Sequence, residues 1–381
     1  MLVSRFPHPL DKGDKLRAYH QLKELSKHFD VTLVALTEHS VSNASISEVQ
    51  KICGELIVLK LNVLTKAFNM VSCLLGATPI QVGYFYSKKA QKQINRIIAQ
   101  GEFQHIYCQL IRTSEYIKDQ HHISKTIDYM DALSMGIERR IELQAFHKKW
   151  LFKLEAKRLK KYERYIFDYF ENHTIISEQD KQLINHPERE KIICTPNGID
   201  STFFEKGETI KGFDFIFVGN MSYAPNIAAV QLIAKEILPI FSESTLLISG
   251  SSPSPSIKKL AEENQNIEVT GWVDDIRISY LKGEIFLAPM MIGTGMQNKL
   301  LEAMALGIPC VTTPLANNAI NAKNGEEILV GTTIEEIISL VKQLKSDDDL
   351  YLKISGNASE LVKTKFSWEQ SIVNLIDIIK K

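Results

Sequence analysis

Within residues 284–313, Lys299, Glu302, Gly293 and Gly295 stand at spacings that could hold a phosphorylated ligand. Gly293 and Gly295 lie between a short apolar run, 285–288, and a stretch of helical spacing without a breaker, 298–306. Glycines there let the backbone pass close to a ligand, and the following helix presents unpaired N–H groups and a partial positive charge to it. Lys299 falls in the first helical turn, where its charge opposes the helix dipole and Asp or Glu would be favoured. A bound anion accounts for it better than helix stability does. Glu302, three residues on, faces the same side and can accept two hydroxyl hydrogen bonds from a ribose diol. Gly307 stands where a helix end takes up a left-handed residue, and 308–313 is β-branched and apolar. The stretch therefore predicts a strand–loop–helix–strand unit of a parallel sheet. Each residue alone would read as ordinary helix surface; their combination outweighs that.

Lys-Leu-Leu-Glu-Ala-Met-Ala-Leu-Gly-Ile-Pro at 299–309 resembles the donor-nucleotide helix of glycosyltransferase family 4, enzymes of the GT-B fold that move a sugar from a nucleotide sugar to an acceptor. The resemblance runs through nearly the whole chain. It implies that Thr294, Gly295, Met296, Gln297, Asn298, Lys299 and Glu302 serve the donor. Relatives carry two Glu eight positions apart; Glu302 matches the second, and Thr294 stands where the first would hold donor-sugar hydroxyls. Gly-Met-Gln-Asn-Lys at 295–299 is similar to the loop of sugar transferases from bacterial exopolysaccharide loci.

A chain of 381 residues suits two domains of about 150 to 200 residues each. Its 44% hydrophobic and 24% charged residues are ordinary for a globular protein. Charge is balanced overall but unevenly divided. Residues 1–200 hold 29 Lys and Arg against 23 Asp and Glu, and residues 201–381 hold 16 against 22, so the first half is basic. Cys53, Cys73, Cys108, Cys194 and Cys310 are dispersed in apolar runs without a CxxC pair, which reads as buried thiols in a reducing compartment. No signal peptide is apparent and no apolar run spans a membrane. The nearest, 61–80, is interrupted by Lys66 and Asn69 and reads as a buried or interfacial helix. A cytoplasmic protein, peripheral at the inner face of the plasma membrane, is the expected setting.

Residues 1–3 give a first strand shorter than usual, so either it is short or the true start lies upstream. A Pro- and Gly-bearing loop and an amphipathic helix follow, and Gly13 matches the family's N-terminal glycine loop, which approaches the donor phosphates and the acceptor. Further strands are expected at 31–36, 56–61, 105–108, 126–134, 173–177 and 191–195, with a helix at 88–100. Arg112, Asp128 and Asp131 stand at strand C-terminal ends, where doubly wound sheets bind ligands. Asp131 matches the aspartate of a family His-Asp pair, whereas Met130 occupies the histidine position. Residues 147–164 carry eight Lys or Arg and two Glu around Trp150, Leu151 and Phe152. Such a helix is either solvated on one face or lies on an anionic membrane; nothing supports nucleic-acid binding.

The linker at 207–212 marks a boundary between domain 1–206, the acceptor side, and domain 207–365, the nucleotide-sugar side. Residues 366–381 are expected as one helix returning to the first domain. Strand 213–218 ends in a second glycine loop with Gly219 and Asn220, before a helix at 227–238. Many relatives place Arg or Lys there against the diphosphate; none occurs between Gly219 and Gln231, which leaves Lys299 with more of that charge. Gly271, Trp272 and Val273 resemble the family's base-binding turn, a buried Trp being the plainer alternative. The Asp triplet at 347–349 sits between helices and reads as solvated, not as a metal-binding DxD loop.

The fold expected is α/β GT-B, with two doubly wound Rossmann-like domains facing a central cleft. The resemblance implies a retaining transferase without cofactor or metal, using a UDP- or GDP-linked donor and a glycan or lipid-linked acceptor in surface-polysaccharide synthesis. Gly13, Arg112, Asp131, Lys299 and Glu302 are its candidate catalytic residues. Two alternatives stay open: a nucleotide-sugar 2-epimerase of the same fold, and an inactive nucleotide-binding scaffold.

Overall fold

The computed structural model describes residues 1–141, 144–205, 212–292 and 296–380. Two parallel sheets account for its strands. The first contains β1 (Leu2–Val3), β2 (Thr32–Thr37), β3 (Glu55–Lys60), β4 (His105–Gln109), β5 (Ser124–Asp128), β6 (Asn172–Ile175) and β7 (Ile193–Cys194), in the order β3-β2-β1-β4-β5-β6-β7. The second contains β8 (Phe213–Val218), β9 (Leu246–Ser249), β10 (Ile267–Gly271), β11 (Gly283–Ala288), β12 (Cys310–Thr312) and β13 (Leu329–Val330), in the order β10-β9-β8-β11-β12-β13. Helices cover parallel sheets on both faces, so their strands read as continuous apolar runs; Phe215, Ile216 and Phe217 of β8 and Phe286, Leu287 and Ala288 of β11 are all fully buried. Each sheet reverses its strand order once, between β1 and β4 and between β8 and β11. The C-terminal ends of the strands flanking such a reversal leave room for a ligand.

The chain divides into two compact units, Met1–Pro196 with Ser371–Lys381, and Asn197–Gln370. The boundary anticipated at 206/207 lies later in the chain, and 207–211 fall outside the described residues. The expected terminal helix is two pieces, Trp368–Ser371 and Val373–Lys380. It cannot begin at 366, because the carbonyl of Phe366 accepts from the amide of Ile199 at 2.6 Å and Ser367 bridges to the same residue. The second piece packs Leu375 and Ile376 on Leu25 and Tyr107 of the first unit. The helix expected at 227–238 begins at Ala224 and changes to a wider turn at Ile233–Ile237, with Pro225 in its first turn. Of the cysteines expected to be buried, Cys53 and Cys194 are only half-buried; all five are free thiols.

One ion pair ties the first sheet to its first helix, Gly13–Leu25. Arg17 Nε and Nη2 donate to the two carboxylate oxygens of Asp128 at 2.7 and 3.1 Å, and both side chains are wholly buried. Thr174 donates to Asp128 at 3.0 Å, and Arg17 also reaches the Thr195 hydroxyl at 2.8 Å. Bidentate geometry and these extra bonds offset the desolvation of two charges. Asp128, a ligand candidate by position, is thus a structural residue. Asp128→Ala should destabilise the protein by about 3–5 kcal/mol in urea unfolding, because Arg17 would be left charged and unpaired, and Arg17→Met with Asp128→Leu should recover much of that. Equal losses in the single and double variants would contradict this account.

Candidate functional site

At the reversal in the second sheet, the loops leaving β8 and β11 meet at the start of helix Asn298–Ala305. Its N-cap residue, Gln297, makes no capping hydrogen bond from its side chain. The Lys299 ammonium donates to Asn226 Oδ1 at 2.8 Å and Gln297 Oε1 at 2.9 Å, and lies 5.5 Å from the centre of the Phe217 ring. Asn226, almost fully buried, also donates from Nδ2 to the carbonyl of Asn220 at 2.9 Å. It therefore joins the β8 loop to the lysine. Among the described residues the ammonium's hydrogen-bond partners are neutral, these two oxygens and, at 4.0 Å, the Met290 sulfur, and burial pulls it down to about 8 against the opposing pull of Glu302.

Glu302 is fixed by Tyr280, whose fully buried hydroxyl donates to Oε2 at 2.8 Å. Burial pushes the Glu302 carboxyl up to about 7, although the Tyr280 bond and the Lys299 charge both favour the carboxylate. Lysine and glutamate are therefore both displaced toward their neutral forms by one shared cause, desolvation. Added negative charge would restore Lys299, and added donors would restore Glu302. Asn226 and Tyr280 were not singled out from the sequence. The absence of any basic residue after Gly219 was the available signal for Asn226, since something else had to face the lysine.

Three neighbouring strand ends in this unit come together at glycines. A Cβ on Gly219 would stand 2.7 Å from Asn226 Nδ2, and one on Gly250, at φ 130°, would stand 2.0 Å from the Gly219 carbonyl oxygen. Gly250 in turn donates its amide to the carbonyl of Gly271, at 3.0 Å. Gly271 has φ 71°, which a side chain would resist. Trp272 after it is 69% exposed, so the buried alternative falls away and its ring is available to a ligand face. Val273 is half-buried beside it. The Asn220 carboxamide is occupied locally, accepting from the Ser222 amide at 2.9 Å and hydroxyl at 2.7 Å. Met296 packs against the core, and Asn298 opens the helix, half-buried. Thr294 and Gly295, with Gly293, lie outside the described residues.

The candidates of the first unit collect at the other reversal. Gly13 opens its helix, and a Cβ there would make an ordinary 3.6 Å contact with Met130 Cε, so packing does not demand glycine. Met130 and Leu110, at the ends of adjacent strands β5 and β4, both adopt φ 65°, a strained conformation for such side chains. Asp131 follows that kink and is exposed; surrounding protein and Asp180 push its carboxyl upward, with Arg112 and Arg140 opposing. Arg112 is committed to protein instead: Nε donates to Gln81 at 3.1 Å, its guanidinium lies 3.6 Å from Asp14 and 5.3 Å from the Phe85 ring, and burial and Arg5 pull it down. Asp14 is largely buried between Arg5, at 2.5 Å, and Arg112.

Residues 212–347 match the family model described as Glycosyl transferases group 1. Glycosyltransferase 1 domain-containing protein 1 of Xenopus tropicalis is 29% identical over 89 residues, 23% of this chain and only 26% of that protein. An uncharacterised 44.6 kDa protein in the cps region of Klebsiella pneumoniae is 24% identical over 348 residues, 85% of this chain and 84% of that one. Among solved structures, a Rickettsia africae glycosyltransferase superposes with TM-score 0.68 at 15% identity, over 100% of this chain and 96% of that one. Sucrose-phosphate synthase of Thermosynechococcus elongatus gives 0.70 at 12%, over 100% and 97%. Anabaena HepE in complex with UDP and glucose gives 0.66 at 11%, over 99% and 98%. The fold is GT-B, and with the group 1 domain it defines the class as a glycosyltransferase.

Tyr280→Phe should cost about 1–2 kcal/mol in urea unfolding, since it strips the donor from Glu302, whereas Glu302→Gln, which keeps an acceptor for that hydroxyl, should cost less than about 1 kcal/mol. If Glu302→Gln unfolds the protein, Glu302 is part of the scaffold.

Proposed function

We propose that the protein is a family 4 glycosyltransferase that moves a sugar from a UDP- or GDP-linked donor to a glycan or lipid-linked acceptor in bacterial surface-polysaccharide synthesis, retaining the anomeric configuration and needing no metal. The observation that carries this is a half-buried lysine at the positive end of a helix, at the reversal of a parallel sheet, whose ammonium meets neutral groups and no carboxylate within hydrogen-bond reach among the described residues. A site so built gains most from an anion. Support for a nucleotide diphosphate comes from the HepE complex with UDP and glucose, and support for polysaccharide synthesis from the cps-region relative.

In this reading Lys299 and the helix N-terminus take the diphosphate, and Glu302 accepts from the ribose hydroxyls. The exposed Trp272 and the backbone of Gly271 and Val273 meet the base. As the bond from the sugar C1 to the phosphate oxygen breaks, negative charge collects on the leaving phosphate, where Lys299 stabilises it. A new bond forms from the acceptor oxygen to C1, and the acceptor proton passes to a leaving-phosphate oxygen. No enzymic base is then required. Gly13 takes its role from the family resemblance, as part of the N-terminal glycine loop, and Asp131, the exposed carboxylate after Met130, is the first unit's candidate for a sugar hydroxyl. Arg112 acts on the acceptor side through its hold on Asp14. The setting is cytoplasmic, peripheral at an anionic membrane face, through the basic helix Phe146–Phe167.

A nucleotide-sugar panel with detection of released nucleotide tests the reaction: transfer or slow hydrolysis is expected, whereas epimerised sugar, or binding without release, would replace this reading. Glu302→Gln should lower donor affinity or turnover by on the order of ten- to a thousandfold. Affinity for UDP should decline on both sides of neutrality. Phosphate favours protonated Lys299, so binding weakens as pH rises past about 8, and ribose hydroxyls favour the Glu302 carboxylate, so it weakens as pH falls below about 7. Calorimetric titration showing a flat profile would count against both roles.

EDTA should leave transfer intact. Asp347 caps helix Asp348–Lys365 by accepting from the Leu350 amide, and Asp348 and Asp349 fill its first turn, so this triplet already serves a helix terminus. Loss of activity in EDTA, restored by manganese, would remove the metal-free assignment.

A further inference from the structure

Helix Val63–Leu75 is built inside out. The face it turns to the protein is polar: Lys66 is nearly buried, with its ammonium 4.9 Å from the Tyr84 ring centre and 3.5 Å from Glu38. Asn69 donates to the carbonyls of Gly83 and Tyr86 at 3.0 and 2.7 Å. Cys73 completes that face against Gly83. The opposite face carries Val63, Phe68, Met70, Val71, Leu74 and Leu75, all exposed, Phe68 by 72% and Leu75 by 89%. At 3.6 residues per turn these side chains, with Ala67, fill an unbroken arc of about 160°. A helix of a water-soluble surface has the reverse arrangement, and a contiguous apolar face of this kind marks an interaction surface.

A cationic strip adjoins it. Arg158 of helix Phe146–Phe167 donates to the carbonyls of Cys73 and Leu74 at 2.6 and 3.2 Å, at the negative end of the inverted helix. On the outward side of the longer helix, Phe146, Trp150, Lys153, Lys157, Lys161 and Arg164 fall in one row and are all exposed. Its two acids point inward: Glu155 accepts the amides of Ile80 and Gln81 at 2.9 Å each, and Glu163 accepts from the Ser134 amide at 2.8 Å and hydroxyl at 2.6 Å. The strip thus presents cations without compensating carboxylates of its own helix. A second copy of the chain would bring a like-charged strip to the contact, whereas an anionic bilayer complements apolar face and cations together.

We propose that helix Val63–Leu75 is the element that enters the acyl boundary of an anionic bilayer, lying in the interface plane, while the basic helix rests on the headgroups beside it. This rests on the membrane part of the preceding reading and deepens it by naming an inserting element separate from the cationic one. No described helix is long and apolar enough to cross a membrane.

The test uses the full chain with phosphatidylcholine–phosphatidylglycerol vesicles. Phe68→Trp should show emission quenched by brominated acyl chains beyond the wild-type background, and Phe68→Ser with Val71→Ser and Leu75→Ser should lower vesicle co-sedimentation about tenfold or more while keeping the circular dichroism spectrum. Lys153, Lys157 and Lys161 changed to Gln should weaken binding at low salt but leave the residue 68 signal in the fraction that still binds. Sedimentation without quenching at residue 68, or a triple Ser variant that binds like wild type, overturns insertion and leaves the electrostatic contact standing. A wild-type dimer that the triple Ser variant dissociates also overturns it, in favour of self-association. Absence of wild-type protein from the vesicle pellet overturns both membrane readings and leaves the donor site untouched.

Discussion

A half-buried lysine ammonium at the end of a helix that repels it is the constraint around which the second unit is arranged. Burial and the dipole both disfavour the charge, so the site must supply oxygen, and it does so from two directions: Gln297 from the lysine's own segment and Asn226 from the first turn of the helix that follows the β8 loop. Gly219 follows from that arrangement, because Asn226 reaches back across it to the Asn220 carbonyl and leaves no space for a side chain. Gly250 extends the same logic along β9, its Cβ position overlapping the Gly219 carbonyl, whereas Gly271 at the end of β10 is required by its positive φ and not by crowding.

In the first unit, similar positions are used differently. Asp128 and Asp131 stand three residues apart at the end of one strand, yet the first is sealed against Arg17 and the second is exposed. The turn at Met130 separates their fates. Its left-handed backbone redirects the chain, so one carboxylate faces helix Gly13–Leu25 and the other emerges past the strand end. Strain at Met130 and at Leu110 beside it is sustained because both sit between fixed strands, the Met130 carbonyl accepting from Ile176 and the Leu110 amide donating to Asp128. Arg112 and Arg5 share the single carboxylate of Asp14 near this corner. An open carboxylate is left where a hydroxyl-bearing ligand could meet it.

The amino-acid sequence by itself determined most of the elements and the placing of Lys299 and Glu302 on one helix of the second unit. β8, β11 and helix Lys88–Gln100 were legible because a buried parallel strand and an amphipathic helix leave periodic traces in local order. Lys299, Glu302 and Gly307 were legible because helix geometry converts spacing into a shared face and a left-handed end without outside help. Tertiary structure alone decided which polar groups were partners. Arg17 and Asp128 are 111 residues apart, Lys299 and Asn226 are 73, and Tyr280 and Glu302 are 22, distances over which residue type carries no record of contact. Trp272 and helix Val63–Leu75 make the same point through burial. An apolar residue reads as core in a sequence, and only the packing of Lys66 and Asn69 inward shows that Phe68, Val71 and Leu75 must face out. Periodicity fixes that a helix has two faces; which of them meets the protein depends on what the rest of the chain places against it.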